Sequence, residues 1–295
     1  MNNFQLLLPY ETNNPLSPNY SFIFKFENEF HYQKHVNWMR KHWFDSFYWS
    51  FLYLLFIYIG RNVMESRSKP FRLRYPLIIW NIILATFSIA GTIRVWPEMI
   101  HILKNYGFYH SVCSNSYHKE VPISSFWTYL FVLSKLPELI DTIFIVLRRQ
   151  KLIFLHWYHH ATVLIFTWYC YADETSVARW YVYMNFFVHA MMYSYYAIRA
   201  LGIRLPKPLA MTITSAQIVQ MIIGSIVTFY AYYIRVSGRE CGISMDRLYA
   251  GLAIYISYLM LFANFFIKSY LSKTTTTTTT TKTTTTTNGD MKKVQ

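Results

Sequence analysis

Three short stretches of this 295-residue chain concentrate side chains that can move protons or attack carbonyl carbons. Lys135, Glu138, Asp141 and Thr142 fall within about 120° of arc at 100° per residue, so a single helix would carry them on one face. His156, His159 and His160 are spaced i, i+3, i+4, again one face. Asn185, His189, Met192, Tyr193 and Tyr196 form a third stripe. Imidazole titrates near neutrality, so it serves as acid, base or nucleophile, including towards a thioester. The carboxylates can orient or polarise such rings, and Lys135 can pair with a carboxylate or meet a phosphate. A lone buried histidine is ordinarily structural, but three on one face of a lipid-embedded helix reverse that reading. Imidazole also suits zinc and iron. A di-iron desaturase or hydroxylase needs several histidine boxes, however, and one box plus His189 falls short, so no metal is expected.

The elements that hold these stretches are set by composition. Hydrophobic residues make up 54%, aromatics 20% and charged residues only 14%. A soluble domain carries about 25% charged residues, so this chain lacks the side chains to cover a wetted surface. Charge-free stretches run at 46–60, 75–93, 152–172, 180–198, 208–234 and 248–267. A helix crosses the hydrocarbon core with about 20 apolar residues. A seventh stretch, 121–147, is apolar apart from Lys135, Glu138 and Asp141, and its alternative is a pair of interfacial helices. The expectation is an all-α integral membrane protein of seven transmembrane helices. It divides into a segment 1–43, a bundle 44–270 and a tail 271–295. Met1–Arg40 has no signal-peptide pattern.

Orientation rests on short signals. The chain ends Lys292-Lys293-Val294-Gln295, a di-lysine ending like the retrieval signal of endoplasmic-reticulum proteins, which is read from the cytosol. Seven spans then place the N-terminus in the lumen, where the sequon Asn19-Tyr20-Ser21 can be glycosylated. Arg61–Arg74 carries five basic residues and reads as a cytosolic loop, while Arg40-Lys41 pulls the other way. The runs Thr274–Thr281 and Thr283–Thr287 have no apolar side chain to bury and are expected to be a disordered tether. Cys113 and Cys241 fall in the second and sixth loops, both lumenal and oxidising on this topology, so a bridge between them is expected. Cys170, inside the fourth span, is expected to be a free thiol.

In order, Lys135-Leu136-Pro137-Glu138-Leu139-Ile140-Asp141-Thr142, His156-Trp157-Tyr158-His159-His160, NFFVHAMMYSYY from Asn185 to Tyr196, and Thr214, Gln217 and Gln220 are four signature blocks. The chain thereby resembles the ELO family of fatty-acid elongases, membrane 3-ketoacyl-CoA synthases, over roughly residues 30–270. The wording LRRQKLIFLHWYHHATVL around the histidines looks most like the branch that extends saturated and monounsaturated C16 chains. The resemblance implies condensation of acyl-CoA with malonyl-CoA to a 3-oxoacyl-CoA two carbons longer, releasing CO2 and CoA. It also implies a place in the endoplasmic reticulum beside the reductases and dehydratase of the elongation cycle, with no nucleic-acid partner. No cofactor is expected.

A seven-helix bundle can hold the acyl tail in a tunnel, with Tyr193, Tyr196, Gln217 and Gln220 among its lining. The net charge of +14 suits anionic headgroups or the polyanionic CoA. Arg148, Arg149, Lys151, Arg204 and Lys207 are candidates for the latter, or are ordinary positive-inside residues. Phe126, Trp127, Tyr129, Trp168, Tyr169 and Tyr171 are candidates to close the far end of the tunnel, or core aromatics. His159 is expected to be the nucleophile. The residues alone do not separate it from His160, and the family mechanism points to the second histidine of the box. His156 and His160 would orient it or move protons, Asp141 would fix a tautomer, and His189 or Asn185 would stabilise the oxyanion. The reading from another class is a seven-helix receptor or transporter, which leaves the clustering of histidine with carboxylates and amides without a purpose.

Overall fold

The computed structural model describes residues 14–272, together with the backbone of 7–8. The poly-threonine tail, Lys292 and Lys293 lie outside the described residues. Two short strands, β1 (Leu7–Leu8) and β2 (Ile23–Phe24), pair antiparallel with Leu7 opposite Phe24. Helices α1 (Lys25–Asn28) and α2 (Tyr32–His42) lead into α3 (Asp45–Ser66) and α4 (Arg74–Asn105). The short α5 (Gly107–Cys113) and α6 (Ser116–Lys119) precede α7 (Pro122–Ser134) and α8 (Ile140–Leu147). The long α9 (Phe154–Ala172), α10 (Ala178–Ala200), α11 (Lys207–Val236) and α12 (Met245–Phe266) complete the bundle, and a π-helical turn Ile267–Leu271 extends the last.

Three helices are long and apolar enough to cross a membrane by length and composition: Arg74–Asn105, Lys207–Val236 and Met245–Leu271. The molecule wears its apolar residues outside: Tyr75 is 78% exposed, Ile93 65% and Phe51 64%. Water does not tolerate such a surface, and lipid does. Inside, buried residues of α2, α4, α7, α9 and α10 form one core, and α9 to α12 form another. Helices α4 and α10 approach closely because Gly91 has no side chain. A Cβ there would stand 2.4 Å from the Phe186 ring.

The 121–147 stretch is not one helix. It breaks after Ser134 and makes a 3-10 turn at Pro137–Leu139 before α8 begins. Pro137 has no N–H to continue the ladder, and its ring crowds the preceding turn. The single-face arithmetic for Lys135, Glu138, Asp141 and Thr142 therefore fails as geometry. The break itself gathers Lys135 and Glu138 at the bundle centre.

At one end of the bundle, Cys113 and Cys241 are joined by a disulfide with Cα atoms 4.3 Å apart, and Cys170 is a free buried thiol. Gly242 N–H donates to Cys113 O at 2.8 Å, and Ser176 N–H to Gly242 O at 2.8 Å, tying three loops together. The segment before α3 packs onto this end. Glu27, fully buried, accepts from Arg94 (2.8 and 2.5 Å) and from Trp127 Nε1 (2.8 Å), and Ile23, Val36 and Met39 join the core.

Candidate active site

Four helices and the break between α7 and α8 converge on a buried polar chamber. Lys135, at the end of α7, donates to Glu138 Oε1 at 2.7 Å and to Asn185 Oδ1 at 3.3 Å, and Ser134 Oγ adds a bond to Glu138 at 2.9 Å. Lys135 and Glu138 are only 2% and 3% exposed, so each neutralises a charge the other could not keep alone in lipid. His189 Nδ1 lies 4.0 Å from Glu138 Oε2. Asp141 accepts from Trp80 Nε1 at 2.6 Å and from Tyr193 OH at 2.8 Å. Thr142 links Tyr53 OH (2.8 Å) to His156 Nε2 (3.0 Å). The hydrogen-bond partner of His156 is thus Thr142. Asp141 braces α4 against α10 through Trp80 and Tyr193, and it lines the same chamber as the histidines without a hydrogen bond to one.

On α9 the His156 and His160 rings lie 4.3 Å apart between centroids, tilted by 39°, and His159 turns towards Tyr258 at 4.7 Å. His159 Nδ1 is buried and has no hydrogen-bond partner. Tyr258 also holds Thr162 at 2.6 Å, fixing α12 against α9. Among the described residues no three His, Cys, Asp or Glu side chains are grouped as metal ligands.

Two cavities meet at this point. The chamber is lined by Asp141, all three box histidines, Asn185, His189, Tyr193, Tyr196, Thr214, Gln217 and Gln220. The second cavity, a narrow one, runs along α9 to Tyr117, His118, Tyr171 and Glu174 between walls such as Phe131, Val132, Val163 and Phe166. His159, Asn185, Gln220 and Met221 line both. A third opening, sharing Asp141, His156, Tyr193 and Tyr196 with the chamber, ends at Arg148 and Arg199.

Of the expected CoA-binding residues, Arg148 lines one of these three openings and the others do not. Arg149 donates to Arg67 O at 3.0 Å, and Lys151, Arg204 and Lys207 are exposed and line none of these openings. Arg199, missed in the sequence, follows Tyr196 by three residues and so continues the α10 stripe. Of the six aromatics expected to close the tunnel, only Tyr171 lines it. Trp127 binds Glu27, Trp168 donates to Val132 O, and Tyr169 donates to Asp246.

His118, outside the spans, makes a pH prediction. Burial pushes its ring down from an ordinary value of 6.5 to about 3. The ring stays neutral in the fold, but the unfolded chain takes up a proton as pH falls below the ordinary value. Stability is therefore present above that value and is lost on acidification. Between pH 7 and pH 5 the loss should be about 2 kcal/mol, which His118→Asn should remove. Thermal unfolding of both proteins at the two pH values measures it, and equal acid losses would contradict it.

A catalytic-type cluster buried in a helical bundle with an apolar exterior defines a membrane enzyme. Residues 38–278 match the model of the ELO family, the GNS1/SUR4 family. The chain is 51% identical over 259 residues to very long chain fatty acid elongase 6 of Drosophila melanogaster, covering 87% of this chain and 82% of that one. It is 46% identical over 250 residues to very long chain fatty acid elongase 6 of Homo sapiens, covering 85% and 93%. Very long chain fatty acid elongase 3 of Homo sapiens is 42% identical over 231 residues, covering 78% and 84%. The chain belongs to the ELO, GNS1/SUR4 family.

Proposed function

We propose that this protein is the condensing enzyme of fatty-acid elongation. It converts acyl-CoA and malonyl-CoA, with a proton, into 3-oxoacyl-CoA, CO2 and CoA. The observation that carries this is the position of His159, the one described histidine lining both the polar chamber and the apolar tunnel, with Nδ1 unpartnered. An acyl tail in the tunnel and CoA in the chamber put the thioester carbon beside that nitrogen. Attack forms the N–acyl bond and breaks C–S, and the proton from the other ring nitrogen leaves with the thiolate as CoA. Malonyl-CoA then takes the vacated chamber and loses CO2. The resulting enolate attacks the acyl carbon, and the departing imidazolate is reprotonated. Asn185 and His189 face the chamber to receive the developing oxyanion.

C16-type substrates are favoured by length. His159 and Tyr171 are twelve residues apart on α9, about 18 Å at 1.5 Å per residue. Carbons joined by bonds of about 1.5 Å advance about 1.25 Å each, so about fourteen to sixteen fill that length.

The topology is seven crossings, by α3, α4, α7 with α8, α9, α10, α11 and α12, in the endoplasmic-reticulum membrane. Exposed Asn19 and the disulfide share one end of the bundle, which supports a lumenal face there, with Asn19 as the glycan acceptor. Arg148, Arg199, Arg204 and Lys207 gather at the cytosolic end, where Lys292 and Lys293 would act in retrieval. The product is passed to the ketoacyl-CoA reductase, dehydratase and enoyl-CoA reductase of the cycle.

Purified protein given labelled malonyl-CoA should release labelled CO2 only when palmitoyl-CoA is present, with an 18-carbon 3-oxo product by mass. A transporter would move substrate without releasing CO2, and that result would remove this reading.

A further inference from the structure

The tunnel ends in polar atoms that have no partner. His118 Nε2, Thr128 Oγ1 and Tyr171 OH are buried without a hydrogen bond, and all three residues line the tunnel. The three residues are 1%, 1% and 4% exposed. Elsewhere the wall is largely aliphatic and aromatic, so a methyl-ended chain leaves these groups unsatisfied. Each buried donor or acceptor left unmade costs free energy, and native interiors rarely leave several together. The other His118 nitrogen is already engaged, with Ser125 Oγ at 3.3 Å from Nδ1. At the rim, Glu174 Oε2 takes Arg40 at 2.8 Å, and its Oε1 has Lys119 Nζ at 3.9 Å.

We infer that the blind end of the tunnel is a hydroxyl-accepting subsite, and that the protein elongates acyl-CoA chains carrying a hydroxyl at the methyl end. A hydroxyl has one donor and two acceptor sites, so it can serve Tyr171 OH and His118 Nε2 together. The same hydroxyl halfway along the tunnel, short of Thr167 and Cys170, would meet the apolar side chains of Phe131, Val132, Val163 and Phe166. Chain length therefore decides whether the group is welcome. This rests on acyl-CoA being the substrate and on the tail lying in this tunnel.

The test compares kcat/KM, read as labelled 3-oxo product, for ω-hydroxypalmitoyl-CoA against palmitoyl-CoA and for ω-hydroxyoctanoyl-CoA against octanoyl-CoA, whose eight carbons reach about halfway along the tunnel. A hydroxyl buried without partners loses at least about tenfold. The expected result is a loss of about tenfold or more for the 8-carbon pair and a ratio within about threefold for the 16-carbon pair. The double variant Thr128→Val/Tyr171→Phe should then lower the 16-carbon ratio about tenfold, whatever its absolute rate. A hydroxyl penalty as large at 16 carbons as at 8 would mean that ordered water alone serves these atoms, and it overturns the subsite while leaving elongation of palmitoyl-CoA intact. A ratio unmoved in the double variant overturns it equally. No product from palmitoyl-CoA overturns the functional reading itself, and the subsite with it.

Discussion

His159→Ala should lower condensation by about a thousandfold or more without unfolding the protein. Removal of a covalent nucleophile abolishes the two-step route rather than weakening it. The ring lines open space on both sides, and its Nδ1 makes no hydrogen bond whose loss would strand a partner. Thermal stability should therefore change little. His156→Ala should cost far less, on the order of ten- to a hundredfold, because His156 is bound through Thr142 to Tyr53 and acts by positioning. Steady-state rates for the two variants beside their unfolding temperatures make the comparison. Equal losses in both, or a rate within tenfold of wild type for His159→Ala, would contradict the assigned role.

Arg179→Met should destabilise the fold by about 3–5 kcal/mol, as expected when a buried pair loses one partner. Arg179 and Glu98 have fully buried side chains 3.2 Å apart. Arg179 also donates to His110 O (3.1 Å), Ser111 O (2.8 Å) and Ser116 Oγ (2.8 Å), and its guanidinium lies over the Tyr117 ring at 5.0 Å. Methionine leaves the Glu98 carboxylate in an apolar interior with Tyr183 OH as its remaining hydrogen bond, at 3.1 Å. The damage reaches function because Arg179 fastens α5 and α6, which carry Tyr117 and His118 to the tunnel end. Adding Glu98→Gln should recover part of the loss, since the stranded charge goes. Denaturation of the single and double variants settles the sign. A double variant less stable than Arg179→Met would show that the charge is not what the arginine protects.

The histidine box and the α10 stripe were readable as faces because α9 and α10 are continuous helices, where i, i+3, i+4 spacing means adjacency. The α7–α8 stretch was not, although Pro137 was in view as the signal for a break. What no spacing could supply is contact between distant segments. Trp80 on Asp141 and Tyr53 on Thr142 join residues 61 and 89 apart in sequence. The basic residues could not be assigned from sequence, for a physical reason. Positive charge collects at a membrane face whether or not a ligand binds there, so Lys151, Arg204 and Lys207 carried no information about direction. The unpartnered polar atoms at the tunnel end are invisible in sequence, because a missing hydrogen bond is a property of the fold alone.

Intact-mass analysis of the protein after addition of palmitoyl-CoA, with no malonyl-CoA present, tests the central claim most directly. The account predicts one palmitoyl adduct per chain with release of one CoA, the acyl group mapping to His159, and no adduct on His159→Ala. No adduct at any time, with CoA released only after malonyl-CoA is added, would mean direct condensation in a ternary complex and would contradict it.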